Sequence, residues 1–133
     1  MEIIQSIEEV FEVQGKEPWE KMDGYKVTTD KQEILVLINN SSNCCEEWGH
    51  LSSNDELQDF AGAELLKLEL VDEALDKKML EKFEYGFDGG GIVFVNFETN
   101  RGTFQLAVYN NHNGYYGHSI MIKSEQLNLD SGL

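Results

Sequence analysis

The sequence predicts an α+β fold, with about six mainly antiparallel strands forming a strongly curved sheet or small barrel under two or three covering helices. Three observations carry this. The N-terminal residues space their apolar side chains at helical intervals; most later residues fall into short apolar or alternating runs parted by turn residues. The 133 residues, 41% hydrophobic, suit one core, and no linker is long enough to divide them, so residues 1–133 read as a single domain.

In order along the chain, Ile3, Ile4, Ile7, Val10 and Phe11 recur at helical spacing, with Glu8, Glu9 and Glu12 largely opposite. That spacing predicts an amphipathic first helix, stopped by Gly15 and Pro18, with Trp19 anchoring the connection to the core. Gly24–Thr29 and Glu33–Asn39 read as a hairpin turning at Asp30, Lys31 and Gln32. Ile34–Ile38 is apolar on both alternating sets, which places it centrally with both faces covered, one of them by a helix. Ser53 and Glu56 have capping-box spacing and predict a short helix over 54–61 ended by Gly62. Leu66, Leu68 and Leu70 alternate with Lys67 and Glu69, the period of a half-exposed outer strand over 64–71. Residues 72–83 fit either a second surface helix or a mobile insertion ahead of Gly89-Gly90-Gly91. Ile92–Phe97 and Thr103–Tyr109 flank Asn100-Arg101-Gly102 as a tight hairpin, His118–Lys123 makes the final strand, and residues 128–133 read as a frayed tail.

Charge narrows the partners. A formal charge of −15 disfavours sequence-general binding to DNA, RNA or an anionic membrane, because phosphates are held by Lys and Arg. The acids are also segregated: residues 1–23 carry −5 and 43–88 carry −9, while the strand-rich remainder is nearly neutral. No signal-like N-terminus or membrane-length apolar run occurs, and the two cysteines are adjacent rather than spaced as a disulfide framework. A cytoplasmic setting is expected, that of the host cell if the protein is phage-encoded.

Both cysteines and all three histidines lie in two asparagine-rich stretches, 39–50 and 110–118, each following an apolar run. Thiolate and imidazole ligands suit zinc, so Cys44, Cys45, His50, His112 and His118 form the candidate metal set. Their spacing argues against it: adjacent cysteines on an extended chain point oppositely, whereas zinc sites use a turn such as C-x2-C. No metal or other cofactor is expected. A Cys45–His nucleophile lacks any recognisable local signature, and carboxylates adjacent on a loop, as Glu46 and Glu47 are, rarely face one substrate from opposite sides. Gly89-Gly90-Gly91 has neither a phosphate-loop lysine nor a following helix. The amphipathic rings of Trp48, Tyr115 and Tyr116, beside Glu46, Glu47, Asp55, Glu56 and Asp59, instead predict an aromatic and acidic edge for a basic protein partner.

The elements NCCEEWGH, FAGAELLKLEL and NRGTFQLAVYNNHNGYYGH give the chain a resemblance, over about residues 33–123, to an uncharacterised family of small phage and bacterial proteins. The resemblance implies one α+β domain and brings no activity. Joined to the acidity, it leads to the expectation of a non-enzymatic anti-defence inhibitor, anti-CRISPR-like, that mimics DNA. Its carboxylates would occupy the basic nucleic-acid channel of a host enzyme such as a Cas nuclease. The rival expectation is a metal- or small-ligand-binding domain built on loops 39–50 and 110–118. Oligomeric state is left open by the sequence.

Overall fold

A computed structural model describes residues 1–41, 47–54, 56–71, 73–75, 89–112 and 118–133. The described chain forms two packed antiparallel sheets. In chain order the strands are β1 (Ile4–Gln14), β2 (Lys21–Thr29), β3 (Glu33–Asn39), β4 (Glu47–Ser52), β5 (Leu65–Val71), β6 (Gly89–Thr99), β7 (Gly102–His112), β8 (Ser119–Lys123) and β9 (Asn128–Gly132). Sheet I has the order β1-β2-β3-β8-β9 and sheet II the order β4-β7-β6-β5. This corrects the α+β expectation: among the described residues the one helical element is a 3-10 turn, Leu57–Phe60. No helix among them is long and apolar enough to cross a membrane.

The expected first helix is strand β1, and the reason is local. Its register against β2 slips between Ile4 and Ser6 and again between Val10 and Val13. Each slip inserts an extra residue, so a face returns after three steps rather than two. Ile4 and Ile7 therefore both enter the core at a spacing that reads as helical. At the second slip Glu12 takes φ 57°, and its N–H donates to Asp23 Oδ1 at 3.0 Å.

The capping-box expectation fails as well. Glu56 makes no side-chain cap bond, while Ser53 Oγ accepts from the Gln105 N–H at 2.9 Å and donates to Asn54 Oδ1 at 2.6 Å. With only Phe60 buried on the turn, nothing extends it into an α-helix. Most of 72–83 lies outside the described residues. Residues 73–75 cross the outer face of sheet II, where the Gln105 amide donates to the Glu73 carbonyl at 2.9 Å and accepts from the Leu75 N–H at 2.8 Å.

The β2–β3 hairpin, the central β3, the outer β5 and the β6–β7 hairpin agree with the sequence reading. β3 lies between β2 and β8, and Val36, Leu37 and Ile38 are all fully buried. Its outer face is covered by the β1–β2 connection rather than by a helix. Glu20 on that connection accepts from Ser119 Oγ on β8 at 2.8 Å, and Met22 is buried beside it. Trp19 is 78% exposed, so it does not anchor the connection to the core.

The inner faces form one core. Ile4, Tyr25, Val36 and Ile122 of sheet I meet Leu68, Val95, Leu106 and Val108 of sheet II. Phe97 stacks on Phe104 with ring centroids 4.7 Å apart, and Phe60 packs on Phe104 at the same distance. Backbone bonds join the sheets on one side: Leu65 N–H to Glu2 O at 2.8 Å, Ile4 N–H to Ala63 O at 2.9 Å and Gly62 N–H to Ile4 O at 2.7 Å. The C-terminal residues are not a frayed tail. β9 pairs with β8, and Leu133 exchanges two backbone bonds with His118, at 2.9 and 2.8 Å.

Candidate functional site

The two asparagine-rich stretches meet in space because β4 pairs with β7. Glu47 lies opposite Asn111 and Trp48 opposite Asn110, so the start of β4 adjoins the end of β7. The Trp48 ring stacks on His118 with centroids 5.4 Å apart. His118 Nδ1 lies 2.6 Å from the Asn39 carbonyl, and the fully buried Asn110 donates to the Leu133 carbonyl at 3.0 Å. The flanks of both stretches are thus knotted at one end of the sandwich. Strand β4 itself is what the sequence reading missed inside the first stretch.

Of the expected site residues, Cys44, Cys45, Glu46, Asp55, Tyr115 and Tyr116 lie outside the described residues, as do the side chains of Glu47 and His112. His118 is a buried structural group, and so for the most part is His50. Alternation along β4 turns Trp48 and His50 inward together. The His50 ring meets Tyr25 edge-on at 4.9 Å and Phe11 at 6.0 Å, and its Nε2 lies 3.5 Å from Glu9 Oε2. Among the described residues no group of three or more His, Cys, Asp or Glu side chains is placed to hold a metal.

Among the described residues, Tyr25 is the titratable group whose environment departs most clearly from water. Burial pushes its phenol up to about 12; a hydrogen bond with Ser52 works the other way, and the nearby Glu9 charge adds to the rise. A phenol held neutral in this way donates a hydrogen bond and is no nucleophile at ordinary pH. The Glu9–His50 pair is backed by aromatic carbon rather than by a nucleophile. The cluster locks β1, β2 and β4 together and has no evident catalytic geometry.

A cavity of about 400 Å³ opens on the outer face of sheet I, floored by Leu35 and Met121 and rimmed by Lys16 and Lys123. Its described titratable groups are the two lysines, so it offers no acid–base pair.

The exposed carboxylates collect elsewhere. Glu8, Glu9 and Glu12 stand on the edge strand β1, and Glu17 on the β1–β2 connection. The 3-10 turn, with Glu56 and Asp59 exposed, packs against β1, where the Gln58 amide donates to the Ile7 carbonyl. Arg101 fixes the turn from the other side, donating through Nη1 to the Asp59 and Ala61 carbonyls at 3.1 and 2.9 Å. Two exposed rings, Phe11 at 59% and Trp19, belong to the same hairpin. Glu56 and Asp59 were expected site residues; Glu8, Glu9, Glu12, Phe11 and Trp19 were not. The acidity of residues 1–23 was the available signal, and reading β1 as a helix hid the edge that displays it.

A family model described as "Domain of unknown function (DUF7448)" matches residues 2–122. The chain belongs to that family. The DUF7448 match runs from the residue before Ile3 into β8, so it includes the β1–β2 hairpin, the 3-10 turn and both asparagine-rich stretches, while β9 lies beyond it. Searches of the curated proteins and of the solved structures found no match.

Proposed function

We propose that this DUF7448 protein is a small non-enzymatic binding protein whose acidic β1 edge engages a basic protein surface. The observation that supports this reading is the placement of Glu8, Glu9, Glu12, Glu56 and Asp59 on two elements fastened together, with Phe11 exposed among them. Carboxylates fixed on a strand and a clamped turn lose little freedom on binding. They compete with phosphates for Arg and Lys and speed association at low salt. An exposed aromatic ring supplies the apolar contact that charge alone lacks.

The finer reading is a phage-type anti-defence inhibitor, anti-CRISPR-like, in which this edge occupies the nucleic-acid channel of a host enzyme such as a Cas nuclease. It draws on the resemblance to small phage and bacterial proteins and on the −15 charge. The test is a pull-down from host lysate across a salt series, followed by titration of purified partners. Binding should weaken steeply with salt. The combined substitutions Glu8→Gln, Glu12→Gln, Glu56→Gln and Asp59→Asn should reduce affinity by about tenfold or more and flatten the salt dependence. Unchanged binding by that variant would sink the reading.

A further inference from the structure

We infer that β5 is a homodimerisation edge through which two copies pair antiparallel, Leu68 against Leu68, into one continuous sheet. Among the described residues β5 pairs with a strand, β6, on one side only. On the other side the Leu65 N–H is taken by the Glu2 carbonyl, and among the described residues no strand pairs with that side of 67–71. The chain leaving β5 does not shield the edge at residues 73–75, because it turns across the outer face of sheet II to Gln105. An open strand edge presents a row of unpaired backbone donors and acceptors, which natural proteins usually blunt with bulges or charge. β1 follows that rule, with two register slips and a row of glutamates. The one slip of β5 against β6 lies at its start, between Leu65 and Lys67; from Lys67 to Val71 the strand runs regularly, and Leu66 and Leu70 are left at 56% and 41% exposure.

The occupant is read from the order LLKLELV. Residues directly opposed in an antiparallel pair share a face, and a two-fold axis through the pair sets one residue opposite its own copy. The register is thus fixed by the central residue. Centring on Lys67 opposes lysine to lysine, and centring on Glu69 opposes glutamate to glutamate. Centring on Leu66 or Leu70 faces one of the charges with Leu65 or Val71. Centring on Leu68 alone sets Lys67 opposite Glu69 of the second copy, twice, and Leu66 opposite Leu70, twice. Within one copy Lys67 Nζ and Glu69 Oε2 are already 3.1 Å apart on one face. The dimer would close them into a square of alternating charge. The two exposed leucines of each copy would cover those of the other.

The ladder spans Leu66–Leu70, because the Leu65 N–H is engaged. So short an interface falls below the roughly 1,200 Å² of a stable complex, and the dimer is weak and concentration-dependent. It lies on a different sheet from the β1 edge, so it stands or falls independently of the proposed function.

Sedimentation velocity from micromolar to millimolar protein is the test. The unsubstituted chain should shift from monomer to dimer. Glu69→Lys places lysine opposite lysine twice and should weaken association by about tenfold or more. Lys67→Glu should do the same with glutamates, and the double exchange Lys67→Glu/Glu69→Lys should restore the dimer because each charge again faces its opposite. Circular dichroism confirms folding of each variant; Lys67 is exposed and Glu69 half-buried on the outer face, outside the core. A chain monomeric throughout overturns the inference and leaves the edge to a foreign strand or to none. A dimer indifferent to the single substitutions, or not restored by the double exchange, places the interface elsewhere and overturns it too.

Discussion

Tyr25 couples a buried core position to pH. Below pH 10 its phenol is neutral in the folded and unfolded chain alike, so its contribution to stability is complete. Between pH 10 and about 12 the unfolded phenol ionises while the folded one stays protonated, so stability is lost as pH rises through that window. A shift from 10.0 to about 12 corresponds to about 2–3 kcal/mol. Tyr25→Phe should cost about 1 kcal/mol at neutral pH through the lost bond to Ser52. It should also remove this alkaline component, so urea melts at several pH values should show the gap between the two proteins closing and reversing. Parallel curves up to pH 12 would contradict the burial argument. Gly24 is a second sensitive residue. A Cβ built there would lie 2.0 Å from the Val36 carbonyl oxygen, a backbone atom that cannot step aside. Gly24→Ala should therefore destabilise by about 2 kcal/mol or more, measured by the same melts.

At the scale of elements, the β8–β9 hairpin is secured by Asn110, whose amide reaches the Leu133 carbonyl from β7. Asn110→Ala removes that donor within a buried region and should cost about 1–3 kcal/mol, with hydrogen exchange accelerating first along β9. Several elements were legible in the sequence. Alternation marked β5, continuous apolarity marked β3 as central, and Asn100-Arg101-Gly102 marked the β6–β7 turn. The misreadings share a cause. Bulges in β1 turned a two-residue period into three, and Ser53 and Glu56 have capping-box spacing although Ser53 is spent on Gln105. β4 was masked by Trp48, Gly49 and His50, whose mixed polarity reflects packing against Tyr25, Phe11 and His118. Such cross-sheet partners are not neighbours in sequence. The candidate edge was half legible: Glu56 and Asp59 by charge, the β1 glutamates by charge but not by geometry.

The whole molecule carries −15, and its carboxylates repel one another more strongly folded than unfolded. Screening should relieve that repulsion, so the melting temperature should rise by a few degrees as salt increases from low levels to roughly 0.15 M, where the Debye length is about 8 Å. A thermal shift series reads this directly, and a falling melting temperature would mean that attractive pairs such as Lys26–Glu8, 3.2 Å apart, outweigh the repulsion.

The order of strands in sheet I also governs how the chain acquires its structure. β3, the most apolar strand, has β2 beside it at once, but its second neighbour is β8, with Leu35 opposite Lys123. During synthesis the Ile34–Ile38 segment must stay exposed on one edge until β8, which begins at Ser119, has emerged. Closing so long a loop delays the rewarding contacts, which places refolding among the slower, millisecond-to-second sandwiches. It also makes the half-built β2–β3 hairpin the species on which aggregation, or a chaperone, would act first.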